Sequence, residues 1–196
     1  FNFKIINTTK IFGNFFLHWG EVLKGQCKVE DQVQVSIDVE RKNLIRNNHS
    51  STHLLHSSLR KILGNHVTQK GSLVNEEKLR FDFNHNDVIK SEDLTKIENL
   101  VNRYINEELP VETQILDHES AIKSGATALF GEKYGDEVRV VSMGYNANAI
   151  FSKELCGGTH VKNTKTINKF KIINQTSVAS GVRRIEALTN VSVDNY

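Results

Sequence analysis

No glutamate stands between the histidines of NNHSSTHLLH. HExxH metallopeptidases need that glutamate as their general base, so the run argues against that class. Cysteine is scarce: Cys27 and Cys156 are the only two, one disulfide at most, without the spacing of a secreted scaffold. Nowhere does the chain reach the ~18 consecutive apolar residues of a membrane span. Charge of one sign is lacking too, with 25 Lys and Arg against 23 Asp and Glu, a net +2. That balance demands no nucleic-acid partner, although it is compatible with a local basic patch. Proline occurs once, at Pro110, and methionine once, at Met143. Because residue 1 is Phe, the chain is expected to be part of something longer. Residues 1–6 do not have the layout of a signal peptide. No internal repeat, low-complexity tract or long linker interrupts the sequence.

What is present suits a globular protein: 38% hydrophobic and 24% charged residues over 196 positions, enough for one sizeable domain or two small ones. Two pairs of residues carry most of the chemistry. His49 and His53 are spaced i,i+4, and so are Cys156 and His160 in ELCGGTH. On a helix that spacing puts both side chains on one face. Three imidazoles and a thiolate would fill a zinc tetrahedron. Plainer readings stand beside this one. The histidines could form a polar helix face, Cys156 could be a small buried apolar residue, and CGGTH could be a Gly-Gly turn with positive φ. His56 projects from nearly the same side as His49 and His53, so periodicity does not say which two of the three would bind an ion.

Residues 3–6, 14–19, 25–29 and 32–39 read as short strands, the last with Val33, Val35, Ile37 and Val39 on one face. From residue 41 to 63 the apolar period becomes helical, and Gly64 supplies a stop. Residues 69–72 read as a turn, and Leu79, Phe81 and Phe83 alternate as a strand. Residues 91–109 predict a helix capped by Ser91 and ended by Pro110. Strands are expected at 111–116, 138–143, 167–175 and 183–189, with a short helix at 120–128. The fold class is therefore α+β: a partial small β-barrel over residues 1–42, followed by a mixed α/β domain over 43–196.

NNHSSTHLLHSSLRKILGNHVTQKGSLVNEEKLRFDF, with ELCGGTHV and VASGVRRIEALTN far downstream, resembles the editing domain of alanyl-tRNA synthetases. The likeness runs from about Asn47 to about Asn190, and more weakly through KIFGNFFLHWGEVLKGQCKVEDQV. Threonyl-tRNA synthetase editing modules and free-standing alanyl-tRNA deacylases share the HxxxH and CxxxH pairs, whereas QKGSLV and GVRRIEA look more like the alanyl type. The resemblance implies a domain of the threonyl/alanyl second-additional-domain type. It implies one Zn2+ held by His49, His53, Cys156 and His160, and makes His56 a neighbouring packing residue. ATP and Mg2+ would belong only to an aminoacylation domain that this sequence does not contain. A family glycine-rich strand that would close the barrel is also absent.

The resemblance further implies hydrolysis of mischarged seryl- and glycyl-tRNA for alanine. A pocket sized for alanine rejects glycine or serine by only ~1–3 kcal/mol, so a second site must remove the wrong ester. Gln69 in TQKGS is the expected catalytic neighbour of the metal, since its amide can hold a water or a substrate hydroxyl. Thr52 and Ser72 are candidates for reading the serine side chain, and Arg183 for a phosphate contact, with Arg184, Lys70, Arg80 and Lys162 as further cations. Strand neighbours face opposite ways, so Arg183 and Arg184 cannot both serve one groove. Gln175 stands where the family commonly has Glu. Four protein ligands would leave no position for a catalytic hydroxide, whereas a displaced ligand would open one, and the sequence does not choose. The expected partner is the acceptor end of tRNA for alanine, not DNA or a membrane, in a reducing, cytoplasmic setting. A non-catalytic zinc module that binds tRNA, and a free-standing or threonyl-type deacylase, are the competing readings.

Overall fold

The computed structural model describes residues 1–13, 15–128, 135–145 and 150–196. It divides into two compact units, Phe1–Ile37 and Asp38–Tyr196.

In the first unit, β1 (Asn2–Ile11) and β2 (Phe15–Lys24) form a two-stranded antiparallel ribbon with register shifts near Asn2 and Ile5. Phe12 and Gly13 turn the chain with positive φ. Asn14, expected to open the second strand, lies outside the described residues. Thr8 Oγ1 meets His18 Nδ1 at 2.9 Å, and Trp19 Nε1 donates to Thr9 Oγ1, so His18 is a surface residue. The two further strands expected at 25–29 and 32–39 do not form. Lys28–Asp31 is a turn closed by Asp31 Oδ2, and Val33, Val35 and Ile37 are exposed without a ladder. Alternation alone makes a strand only where a neighbour supplies hydrogen bonds. Among the described residues the unit is thus an open ribbon, not a closed barrel.

The second unit is built around α1 (Val39–Leu63). Asp38 caps it by accepting from Arg41 N–H, Glu40 sits in its first turn, and Arg60 and Lys61 sit in its last. Gly64, at φ 120°, ends it by sending its N–H to Arg60 O. The middle of the helix is buried. Leu54, Leu55 and Leu59 enter the core, and Asn48 bridges the Asn75 carbonyl and the Thr189 hydroxyl.

One sheet has the order β3 (Gln69–Val74), β4 (Leu79–Asn84), β9 (Val182–Thr189), β8 (Phe170–Ala179). A second is β5 (Val111–Asp117), β6 (Glu137–Gly144), β7 (Ile150–Leu155). Both are antiparallel throughout. α2 (Ser91–Asn106) packs its buried Ile97, Val101 and Ile105 into the same core as α1, with Phe81, Phe83, Ile185 and Met143. α3 (His118–Lys123) covers a smaller core of Ala121, Val138, Val140 and Leu155. A 3-10 turn at Thr164–Ile167 and α4 (Val191–Asp194) complete the chain. No described helix is long and apolar enough to cross a membrane.

Three further expectations change. Residues 69–72 are not a turn but the start of β3, because β4 supplies a ladder and a bulge between Gln69 and Gly71 absorbs the glycine. Lys90, not Ser91, holds the N-cap of α2, with no side-chain cap bond. The helix also stops at Asn106, before Pro110, as Glu108 takes a positive φ and reverses the chain. β7 was not anticipated at all.

Candidate metal centre

His49, His53 and His56 all come from α1, and i,i+4 spacing brings the first two to one face as the sequence predicts. Cys156 and His160 do not lie on a helix. They sit in the loop that follows β7, and the loop itself folds back to bring them together. Its Gly-Gly pair is not explained by positive φ, since neither glycine adopts it. Gly158 is needed for room: a Cβ there would stand 2.1 Å from His49 Cε1. Gly157 faces open space.

The loop is tied down at several points. Cys156 N–H donates to Arg139 O, Arg139 Nη1 donates to Gly158 O, and Arg46 Nε donates to Thr159 Oγ1. Ser50 Oγ accepts from Val161 N–H and lies 3.3 Å from His160 Nδ1.

The donor atoms of His49, His53, Cys156 and His160 all lie within 4.8 Å of one another. Cys156 Sγ is 3.4 Å from both His49 Nε2 and His160 Nε2. Zinc bonds of about 2.3 Å to sulfur and 2.0–2.1 Å to nitrogen give tetrahedral N···S edges of roughly 3.5 Å, so this spacing fits one ion. The buried His53 Nε2 has no hydrogen-bond partner, an orphan atom that a metal would satisfy. No described atom has to be rearranged in type: three neutral imidazole nitrogens and a thiolate are the donors zinc prefers.

Glu154, on β7, is the residue that sequence reasoning missed. Its Oε2 meets His53 Nδ1 at 2.7 Å, and its Oε1 meets His56 Nδ1 at 3.1 Å. It is 4% exposed, so these contacts act in a dry environment. A carboxylate on Nδ1 fixes the His53 tautomer and leaves Nε2 as the atom available to a metal. His56, its ring 5.3 Å from that of Phe81, is therefore joined to the cluster through Glu154 rather than by its own donor atom. A carboxylate two residues before a candidate ligand was the available signal.

Electrostatics agree with a cation site. Burial disfavours an imidazolium at His53, but Glu154 and the Cys156 thiolate outweigh it and raise its pKa to about 10. Burial pushes the Cys156 thiol up, yet the His160 and His49 imidazoles hydrogen-bonded to its sulfur bring it down to about 3. His160 falls to about 4, first through burial and then through its histidine neighbours, against the pull of Cys156. Glu154 lies well below the carboxylate range, because His53 and His56 overcome the cost of its burial. Thiolate and carboxylate thus persist together, and a divalent ion would take the place of the His53 proton.

The other expected residues are placed as follows. Gln69 and Ser72 sit opposite Phe83 and Phe81, so both point to the sheet face on which α1 packs. Arg183 continues the Gln69–Phe83 row and donates to Asn86 O. Arg184 faces the other way and binds Asp82 through both Nε and Nη2, at 2.7 and 2.8 Å. Thr52 is buried, and its hydroxyl donates to Asn48 O within the helix. Gln175 shares the row of Ser72 and Phe81, and its Oε1 is buried without a partner. Cys27 is exposed, and neither cysteine is disulfide-bonded.

An α+β fold with a His3Cys cluster shared between a helix and a loop defines a class that the comparisons identify. Residues 138–186, which include β6, β7 and the Cys156–His160 loop, match the family described as Threonyl and Alanyl tRNA synthetase second additional domain. Nearly the whole chain also matches longer relatives. It is 48% identical over 197 aligned residues to the Alanine–tRNA ligase of Parvibaculum lavamentivorans, covering 99% of this chain and 22% of that protein. Alanine–tRNA ligase 1 of Lachnoclostridium phytofermentans is 50% identical over 194 residues, with the same coverage of both. Along nearly its whole length the chain is thus similar to alanine–tRNA ligases, and it spans about a fifth of the length of these relatives.

Proposed function

We propose that this chain is an editing module that hydrolyses the ester of mischarged tRNA for alanine, with seryl- and glycyl-tRNA as its substrates and zinc as its metal. The observation that carries the reading is the convergence of His49, His53, Cys156 and His160, in a chain matched along its length to alanine–tRNA ligases. Zinc, when bound by these four, would anchor the pocket and supply positive charge beside the ester carbonyl. Gln69 lies on the sheet face turned towards α1 and makes no side-chain hydrogen bond among the described residues, so its amide is free to orient a water or the serine hydroxyl. Ser72 on the same face is the second candidate for that hydroxyl. Arg183 is the candidate for a phosphate near the tRNA end. Thr52, whose proton goes to its own helix, is left able only to accept from substrate. Ligation of alanine, with its ATP and Mg2+, belongs in this reading to the parts of the relatives outside this chain.

A second reading has support of its own: four protein ligands complete a tetrahedron, which is the arrangement of a structural zinc module. Hydrolysis separates the two. Gln69→His should keep its zinc and its fold but lose ~10²–10³ in the rate of seryl-tRNA hydrolysis, the usual cost of one positioned hydrogen bond to developing charge. Full activity in that variant would make Gln69 a bystander, and loss of zinc would give it a structural role instead.

A further inference from the structure

A cleft of about 720 Å³, with Glu154 in its wall, opens between the ends of α1 and α2 and the strand β7. It is lined by Arg60 and Lys61 of α1, Arg103 and Tyr104 of α2, and Phe151 and Lys153 of β7. Tyr104 and Phe151 are stacked, with ring centroids 3.5 Å apart, and both pack on the main core. Lys61 Nζ lies 5.8 Å from the Tyr104 centroid and 6.0 Å from that of Phe151, and Arg103 approaches the Tyr104 ring. The acids in the cleft do not cancel these cations. Glu107 is engaged by Arg103, and the Glu154 carboxylate is turned to His53 and His56. Arg60, Lys61 and Lys153 have no carboxylate partner among the described residues and spend hydrogen bonds on Val67 O, Tyr104 Oη and Ser124 O.

We propose that this cleft is a docking site for the sugar–phosphate backbone of the RNA whose end reaches the metal centre. Unpaired cations from two separate elements, Arg60 and Lys61 of α1 and Lys153 of β7, around an aromatic floor are the chemistry that holds phosphates and tolerates stacked bases without reading sequence. In a chain with a net charge of only +2, this is a local concentration of unpaired positive charge. The cleft and the metal centre share Glu154 as a common wall, so RNA seated in one lies beside the other. The inference rests on the proposed editing reading for the identity of the RNA.

The test is equilibrium binding of uncharged tRNA for alanine to the chain across 50–200 mM salt. Each lysine removed should flatten the log–log salt dependence by ~0.7–0.9. Lys61→Gln with Lys153→Gln should weaken binding about tenfold at the low-salt end, with zinc content unchanged. Arg103→Gln, at a well exposed position, is a second variant that leaves the core alone, and Lys61→Arg should restore binding. Lys96→Gln, on the opposite end of α2, should have no such effect. Unchanged affinity and slope in the cleft variants would overturn the proposal, as would an equal loss in Lys96→Gln or no RNA binding by the unaltered chain. A chain that hydrolyses seryl-tRNA while its cleft variants bind normally would sink the cleft alone. One that binds through the cleft but leaves the ester intact would sink the editing reading alone.

Discussion

Gly158 is the position where one methyl group should do most harm. Its ideal Cβ would stand 2.1 Å from His49 Cε1 and 2.7 Å from Nδ1, and the His49 ring has to move to admit it. Gly157→Ala meets nothing within 4 Å. The pair makes a controlled comparison: Gly158→Ala should bind zinc far more weakly in a chelator competition, and Gly157→Ala should bind it as the parent does. Equal affinities would mean that His49 is not held where the ion needs it. Glu154→Gln tests the other side of the cluster. The amide cannot accept from both His53 and His56 as the carboxylate does, and loss of such a support typically costs 10–100-fold in metal affinity, here about that range. An unchanged affinity in that variant would reduce Glu154 to a packing residue.

At the scale of elements, α1 was legible because its apolar period and Gly64 agree, although its Asp38 cap fell inside the expected strand at 32–39, and HxxxH then had only one geometry. CGGTH was legible as a pair that could meet the helix histidines but not as a loop. The i,i+4 spacing of Cys156 and His160 is met by backbone anchored on Arg139 and Ser50, contacts between residues distant in sequence. β3 was hidden by Gly71 and its bulge, and β7 by Glu154, a charge buried only because two histidines from α1 meet it. Residues 32–39 show the reverse error, an alternating pattern without a neighbour to pair with. Across the larger sheet, Lys78 of the turn before β4 reaches Glu186 of β9 at 2.6 Å, and Asn174 of β8 joins them. Hydrogen bonds from Lys78 and Asn174 lower the Glu186 pKa. Its contribution is therefore full above the ordinary carboxylate range and is lost as the pH falls through its lowered folded value. Glu186→Gln should be less stable by no more than about 1 kcal/mol near neutral pH, and the gap should close in acid. Denaturant melts of both proteins across the acid range would show it, and a gap that widened as pH fell would reverse the assignment.

On the scale of the whole molecule, the two units have different standing. Phe1–Ile37 is a ribbon with Phe15, Phe16 and Trp19 exposed, whereas Asp38–Tyr196 carries the core and every metal donor. In the proposed editing reading, the second unit makes the chain a zinc-dependent deacylase. The most direct test is one measurement: the rate of ester hydrolysis on seryl-tRNA for alanine, with zinc content determined on the same sample and Cys156→Ala run beside it. One zinc per chain and ester cleavage are expected of the unaltered protein, and loss of both in Cys156→Ala, because a thiolate ligand disappears. A fully zinc-loaded, folded chain that leaves the seryl ester intact, or a Cys156→Ala chain that keeps its zinc and its rate, would contradict that reading.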